Sequence, residues 1–170
     1  MATGKLRHVV CRLPDYYGPN VLNPLYGDMF KAALSGKTAK WLGSLEQPHS
    51  LAYVMDAARA CVLLAQSPDC LGEAWHFAGA GPVHGREFLS EVVRQAGEGG
   101  KVGAMTESYL KFGCLFLAEA REVLEVMHQF TEPSVLNDSR FRARFTDFRC
   151  TPHEQAIGET LRWFVEHWKD

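Results

Sequence analysis

Twelve residues near the amino terminus, His8 to Pro19 (HVVCRLPDYYGP), constrain what this chain can fold into more than any other stretch. Val9, Val10 and Cys11 form a small or β-branched apolar run too short for a helix. Pro14 removes a backbone donor where a strand would end, and Gly18-Pro19 makes a turn. The run reads as a buried strand around which the rest of the chain is layered. In an open α/β sheet, ligands sit just past the carboxyl ends of strands, so Arg12 to Tyr17 is the expected functional lip.

Beyond the lip, Tyr26, Met29, Phe30, Ala33 and Leu34 recur at helical spacing and Ser35-Gly36 supplies a stop. Thr38 to Leu42 and Ser50 to Val54 are strand-like, and the turn between them predicts a small paired ribbon. Asp56 stands where a cap belongs before an alanine-rich helix, Ala57 to Gln66, that ends at Ser67-Pro68. Gly72 to Gly79 predicts a second interior strand, with Ala74, His76 and Ala78 on one face and Trp75 and Phe77 on the other. Gly85 to Ala96 is an amphipathic helix with Glu87 in its first turn, and Lys101 to Met105 a short strand. A long helical region runs from Thr106 to about Phe130, with a kink at Gly113 and Leu110, Leu117, Ala120, Leu124 and Met127 on its apolar face. Thr151-Pro152-His153-Glu154 is a capping box opening a last helix with Ile157, Leu161, Phe164 and Trp168 inward.

A chain of 170 residues, 46% hydrophobic, can bury a core as a single domain. A net charge of -2 with scattered basic residues provides no field for nucleic acid or an anionic membrane. Neither partner is expected. The five cysteines (11, 61, 70, 114 and 150) form no C-x-x-C pair, which suggests reduced thiols in a cytoplasmic protein. No run reaches the roughly 18 apolar residues of a spanning helix.

Two glycine patterns resemble nucleotide loops. Gly97, Gly100 and Gly103 spell G-x-x-G-x-x-G, but a dinucleotide loop lies between a strand and the helix it opens, whereas these glycines follow a helix. They read as a surface turn. Gly36-Lys37-Thr38 echoes the end of a phosphate loop, yet position 31 is lysine and no strand precedes it. The seven histidines show no metal-binding spacing, and Cys150 with His153 straddles the capping box.

Arg12, Pro14, Tyr17, Gly18 and Pro19 resemble the R-x-P-x-x-x-Y-G-P-type segment after the sixth strand of extended short-chain dehydrogenases/reductases, the NAD-dependent epimerase/dehydratase family. Further matches follow in order: Trp41-Leu42-Gly43, Pro48-His49-Ser50, Tyr53-Val54-x-Asp56-x-Ala58-x-Ala60, Gly72, Trp75-His76, Gly79, Arg86-Glu87-Phe88, Arg121-Glu122, Thr151-Pro152, Thr160 and Trp163. They run from Arg7 to near the end and match the family's carboxyl-terminal half. The resemblance implies an α/β fold, a partial Rossmann-type sheet with a mostly helical substrate-binding subdomain, in one domain over residues 1–170 without the nucleotide-binding half.

The family's catalysis rests on a Tyr-x-x-x-Lys pair in which lysine lowers the phenol's pKa while hydride moves to or from a nicotinamide. No tyrosine here has a lysine four residues on. The resemblance therefore implies no catalytic residue and no cofactor bound by this chain alone, NAD or NADP serving complete relatives. Pro14 and Asp15 match positions that approach the nicotinamide when the other half is present. Tyr16, Tyr17, Asn20, Trp41 and Arg59 are the candidate substrate-side residues. Two functions remain open: a substrate-binding portion inactive by itself that binds a small molecule or a partner, and a subunit or fragment of an NAD(P)-dependent oxidoreductase or epimerase acting on a sugar-nucleotide or other hydroxy/keto substrate. An uncovered strand at Val9 to Leu13 predicts a homodimer.

Overall fold

The organising strand forms, but it is covered on one face only. The computed structural model describes residues 6–106, 124 and 127–168. Val10–Arg12 (β1) pairs in parallel with a strand 64 positions on, Val10 opposite Ala74 and Arg12 opposite His76. Strand alternation turns Val9, Cys11 and Leu13 onto a cluster with Ala57, Ala60, Leu64, Trp75 and Phe77, while Val10 and Arg12 stay exposed. The expectation of a buried strand is thereby corrected. So is that of a second strand interior on both faces, since Trp75 and Phe77 are buried but Ala74 is exposed.

The lip is itself a strand. Asp15–Tyr17 (β2) follows β1 after Leu13-Pro14 and belongs to a different sheet. Asn23 starts Pro24–Leu34 (α1): its side-chain oxygen accepts from the Leu25 N–H at 2.9 Å, and Pro24 fills the first turn. Gly36 (φ +66°) then turns the chain into Thr38–Leu42 (β3), so Gly36-Lys37-Thr38 is a helix-ending turn. Pro48–Tyr53 (β4) lies beside β2 in parallel. β3 and β4 do not form the expected ribbon. The intervening backbone is held elsewhere, Gly43 N–H donating to Met105 and Ser44 N–H to Phe130, and β4 is already flanked by β2 and by Pro82–His84 (β6), its antiparallel neighbour.

Val54–Gln66 (α2) begins two residues before Asp56, so Asp56 lies in its first turn and does not cap it. Ala74–His76 (β5) is the partner of β1. Gly85–Ala96 (α3) ends at Gly97, whose φ of +75° forms a left-handed cap, and Lys101–Met105 (β7) then pairs in parallel with β3. The G-x-x-G-x-x-G stretch is therefore the end of a helix and the start of a strand, as its position predicts. The expected long helix falls mostly outside the described residues, as do Tyr109, Gly113, Cys114, Arg121 and Glu122. Of its apolar face, Leu124 is half-buried, and Met127 is buried beside Phe130 of the short His128–Thr131 (α4). Ser139–Arg144 (α5) was not anticipated.

His153–His167 (α6) has the predicted inward face, with Ile157, Leu161 and Phe164 buried against Phe30, Leu51, Phe88 and Leu89. Its start is built differently. Thr151 makes no cap on its own helix; its N–H and hydroxyl donate to the two oxygens of Asp56 at 2.6 and 3.0 Å. Thr151→Ala is expected to cost about 1.5 kcal/mol in urea denaturation through loss of a hydrogen bond to a charged acceptor, whereas Thr151→Ser retains the hydroxyl and most of the stability. Equal losses for the two would overturn that account.

Candidate functional site

The carboxyl end of β1 opens into a cleft of about 350 Å³ lined by Leu13, Pro14, Asp15, His49, Ser50, Gln129 and Ser134–Leu136. The position matches the expected lip: the chain must leave β1 at Pro14, and β2 then enters the sheet beside β4 with Asp15 opposite Leu51. Gly18 holds the far end of the lip at a φ of +137°, where an added Cβ would lie 2.6 Å from Val54 Cγ1. Only glycine fits there without a shift. Backbone exchanges tie the opposite wall together, Ser50 N–H donating to Ser134 and Ser134 N–H to Pro48.

Asp15 is the charged centre of the cleft. Its Oδ2 accepts from the Tyr26 hydroxyl at 3.0 Å and from His49 Nε2 at 2.9 Å, and His49 is buried at 6% exposure while the Asp15 side chain stays 37% exposed. The His49 ring stacks on Phe130 with centroids 5.2 Å apart and meets Trp41 edge-on. Burial, then the Asp15 charge, push the Tyr26 phenol above its ordinary range, so it serves as a fixed donor. The arrangement presents a half-exposed carboxylate, positioned by two donors, to whatever enters the cleft. Such a group accepts hydrogen bonds from hydroxyl-bearing ligands.

Tyr17 and His153 form a second polar link, inside the core. The Tyr17 hydroxyl lies 2.9 Å from His153 Nδ1, and His153 Nε2 lies 3.3 Å from the Gly81 carbonyl. These partners are satisfied together when Nε2 carries the proton and Nδ1 accepts from the phenol. Burial holds the His153 pKa below its ordinary 6.5 and drives that of Tyr17 up. A histidine kept neutral in the fold contributes stability that is complete above the unfolded value, about 6.5, and is lost as pH falls from there toward the folded value. Glu159 and Glu91, both held below 4.5, act only at lower pH. The urea midpoint is therefore expected to drop between pH 7 and pH 5, and His153→Gln should flatten that slope. An unchanged slope in the variant would place the effect elsewhere.

The structure separates the seven predicted residues. Pro14 and Asp15 line the cleft; Tyr16, Tyr17, Asn20, Trp41 and Arg59 do not. Tyr17 has no exposure and packs among Phe30, Tyr53 and Phe88. Tyr16, alternating with it along β2, is half exposed, and Asn20 sits in the following turn at a φ of +63°. Trp41 is a core residue that meets the site from behind, through edge-on contacts with His49 and Tyr26. Arg59 lies on another surface, bonded to Asp56 and the Arg149 carbonyl and stacked over Phe148 beside a groove of about 610 Å³. Sequence reasoning missed His49, Tyr26 and Gln129 as site residues. β4 is buried along nearly its whole length, so no alternation marks His49, and Tyr26 sits at a helical core spacing that hides the role of its hydroxyl.

The spaced glycines are not arranged as a dinucleotide loop: Gly97 caps the end of α3, a Cβ at Gly100 would lie 2.9 Å from the Lys37 carbonyl oxygen, and Gly103 lies within β7. Among the described residues no group of three or more histidine, cysteine or carboxylate side chains could hold a metal ion, and no helix is long and apolar enough to cross a membrane.

Residues 1–78 match the NAD dependent epimerase/dehydratase family. No curated protein matches the chain. Among solved structures, the epimerase Mth375 of Methanothermobacter thermautotrophicus superposes with a TM-score of 0.71 at 15% identity, over 96% of this chain and 44% of that one. UDP-glucuronic acid 4-epimerase of Bacillus cereus, solved with UDP-glucuronic acid and NAD, gives 0.69 at 14% identity, over 94% and 46%. A GDP-L-fucose synthetase of Naegleria fowleri bound to NADP gives 0.63 at 21% identity, over 92% and 46%. The α/β fold is thus that of these epimerase-type proteins, and the chain spans less than half the length of each.

Proposed function

We propose that this chain is the substrate-side, carboxyl-terminal portion of an NAD-dependent epimerase- or dehydratase-type protein, that its cleft at Pro14 and Asp15 receives a hydroxyl-bearing small molecule, and that a dinucleotide is held by a separate half. The observation that carries this is the cleft at the carboxyl end of β1, where Asp15 is positioned by Tyr26 and His49. The family match over residues 1–78 supports it, since it covers the lip and its flanking strands. By itself the chain lacks the Tyr-x-x-x-Lys pair and binds no NAD or NADP tightly. Catalysis therefore requires the other half, and Pro14 and Asp15 contact the nicotinamide only when that half is present. Tyr16 and Asn20, on the exposed side of the lip, join the substrate surface in that assembly. The uncovered face of β1 and β5 favours a homodimer of the isolated chain.

Fluorescence titration with NADH and NADPH tests the cofactor claim: weak, unsaturated signals are expected, and tight saturable binding would overturn it. A panel of UDP- and GDP-sugars in a thermal-shift assay tests the cleft. At least one is expected to raise the melting temperature by mass action, with the rise lost in Asp15→Ala. A panel without hits would remove the ligand reading.

A further inference from the structure

Around α5 and the segment that leads from it to α6, four arginines are matched to carboxylates and a fifth, among the described residues, is not. Arg59 meets Asp56, Arg140 meets Glu73, Arg142 meets Asp138 and Arg144 meets Asp69, each at 2.7 or 2.8 Å. The Arg149 guanidinium donates only to the main-chain carbonyls of Thr146 and Phe148. Arg149 is exposed and borders a pocket of about 150 Å³ walled by Phe77, Phe141, Phe145 and Phe148, with Cys150 beside them. Phe77 and Phe141 are buried, whereas Phe145 and Phe148 are half-buried. Neighbouring rings have centroids 4.9 to 5.5 Å apart and meet tilted or edge-on.

The carboxylate and the thiol that line this pocket are already used. Asp138 accepts from the Ala78 N–H at 3.0 Å and from Arg142 Nε at 2.8 Å. The Cys150 thiol donates to the Gly79 carbonyl at 3.3 Å, which also takes Arg142 Nη2. An entering molecule therefore meets phenyl rings and one guanidinium that lacks an anion. An apolar cavity of about 150 Å³ accepts one benzene-sized ring, edge-on contact with such rings adds to its burial, and a guanidinium fork fits a carboxylate. A cation is disfavoured, because Arg142 already neutralises Asp138.

We propose that this pocket is a binding site for one-ring aromatic carboxylates, benzoate being the chemical type, with the ring among the phenylalanines and the carboxylate on Arg149. It shares no lining residue with the Pro14–Asp15 cleft, so it stands or falls separately from the reading of that cleft. The loop that borders it runs into Thr151, whose N–H is held by Asp56, and a bound ring would brace that start of α6.

The test uses the full chain in equilibrium dialysis against radiolabelled benzoate at neutral pH. One saturable site is expected, with a dissociation constant of roughly 1 mM or tighter. Acetate, which carries the charge without the ring, should not displace it. Toluene, the ring without the charge, should bind at least ~10-fold more weakly. Arg149→Met should weaken benzoate by ~10-fold or more and leave toluene unchanged, and Arg149→Lys should restore part of the loss. Photolysis of 4-azidobenzoate on the wild type locates the site: label should fall on the tryptic peptides Phe145–Arg149 or Cys150–Arg162 and disappear in excess benzoate. No saturable uptake, displacement by acetate, toluene binding as tight as benzoate, an unchanged affinity in Arg149→Met, or label confined to other peptides would each overturn the proposal. The wild-type comparisons decide it even if the Arg149 variants fail to fold.

Discussion

Replacing Asp56 by alanine is expected to lower the unfolding free energy by about 3 kcal/mol, read from urea denaturation at neutral pH. Asp56 is 2% exposed, on the first turn of α2. Its two oxygens take the Thr151 N–H, the Thr151 hydroxyl and the Arg59 guanidinium at 2.6, 3.0 and 2.8 Å. Two of those donors belong to the segment that starts α6, so the carboxylate fastens two helices distant in sequence. Alanine removes the acceptor and strands the Thr151 N–H, and it takes away a negative charge favourable to the helix start. Arg59→Ala should cost far less, about 1 kcal/mol, because an exposed cation can exchange its partner for water. Thr151 and Asp56 touch, so their losses should be non-additive in a double-mutant cycle. A loss below about 1 kcal/mol for Asp56→Ala would mean that α6 is held by its apolar face alone.

Asp56 also shows how far such a chain can be read before its fold is seen. The apolar spacing of α1, α3 and α6 is set by local periodicity, and each helix lies where that spacing puts it, within a few residues. Asp56 before an alanine-rich run satisfies the local rule for a cap equally well. What decides otherwise is a contact 95 positions away, with Thr151, and no local pattern carries that. The same limit explains β3 and β4, whose partners are β7 on one side and β2 with β6 on the other. Tyr17 fails for a related reason. A tyrosine two residues from a half-exposed aspartate reads as a lip residue, but alternation along β2 turns it onto Phe30 and Phe88, and its hydroxyl is satisfied by His153 from the far end of the chain. Pro14 and Asp15 were legible because a proline at the end of an apolar strand fixes where the chain leaves the sheet. His49 was not, since a histidine within a strand buried on both faces looks like any other interior residue.

At micromolar concentration the isolated chain should run as a homodimer by light scattering behind a sizing column, and Val10→Glu should weaken that dimer by ~100-fold or more. The reasoning starts from the sheet. Parallel strand pairs ordinarily have both faces covered, yet among the described residues β1 pairs only with β5, and Val10, Arg12 and Ala74 are exposed on the face away from α2. Val10 is 46% exposed, and no proline or bulge blunts the free edge. Two copies related by a two-fold axis would set β1 antiparallel to itself along its free edge and bring the two Val10 side chains close together near the axis. A contact of this kind belongs to the obligate class, above roughly 2,000 Å² in total. In Val10→Glu two carboxylates meet at that axis, whereas the monomer barely feels the change because the side chain is already half in water. A dimer that survives Val10→Glu intact would move the interface to another surface. A wild-type monomer that binds no exposed-surface dye would mean that the open face of β1 and β5 is tolerated in water, and with it the main reason for association would be gone.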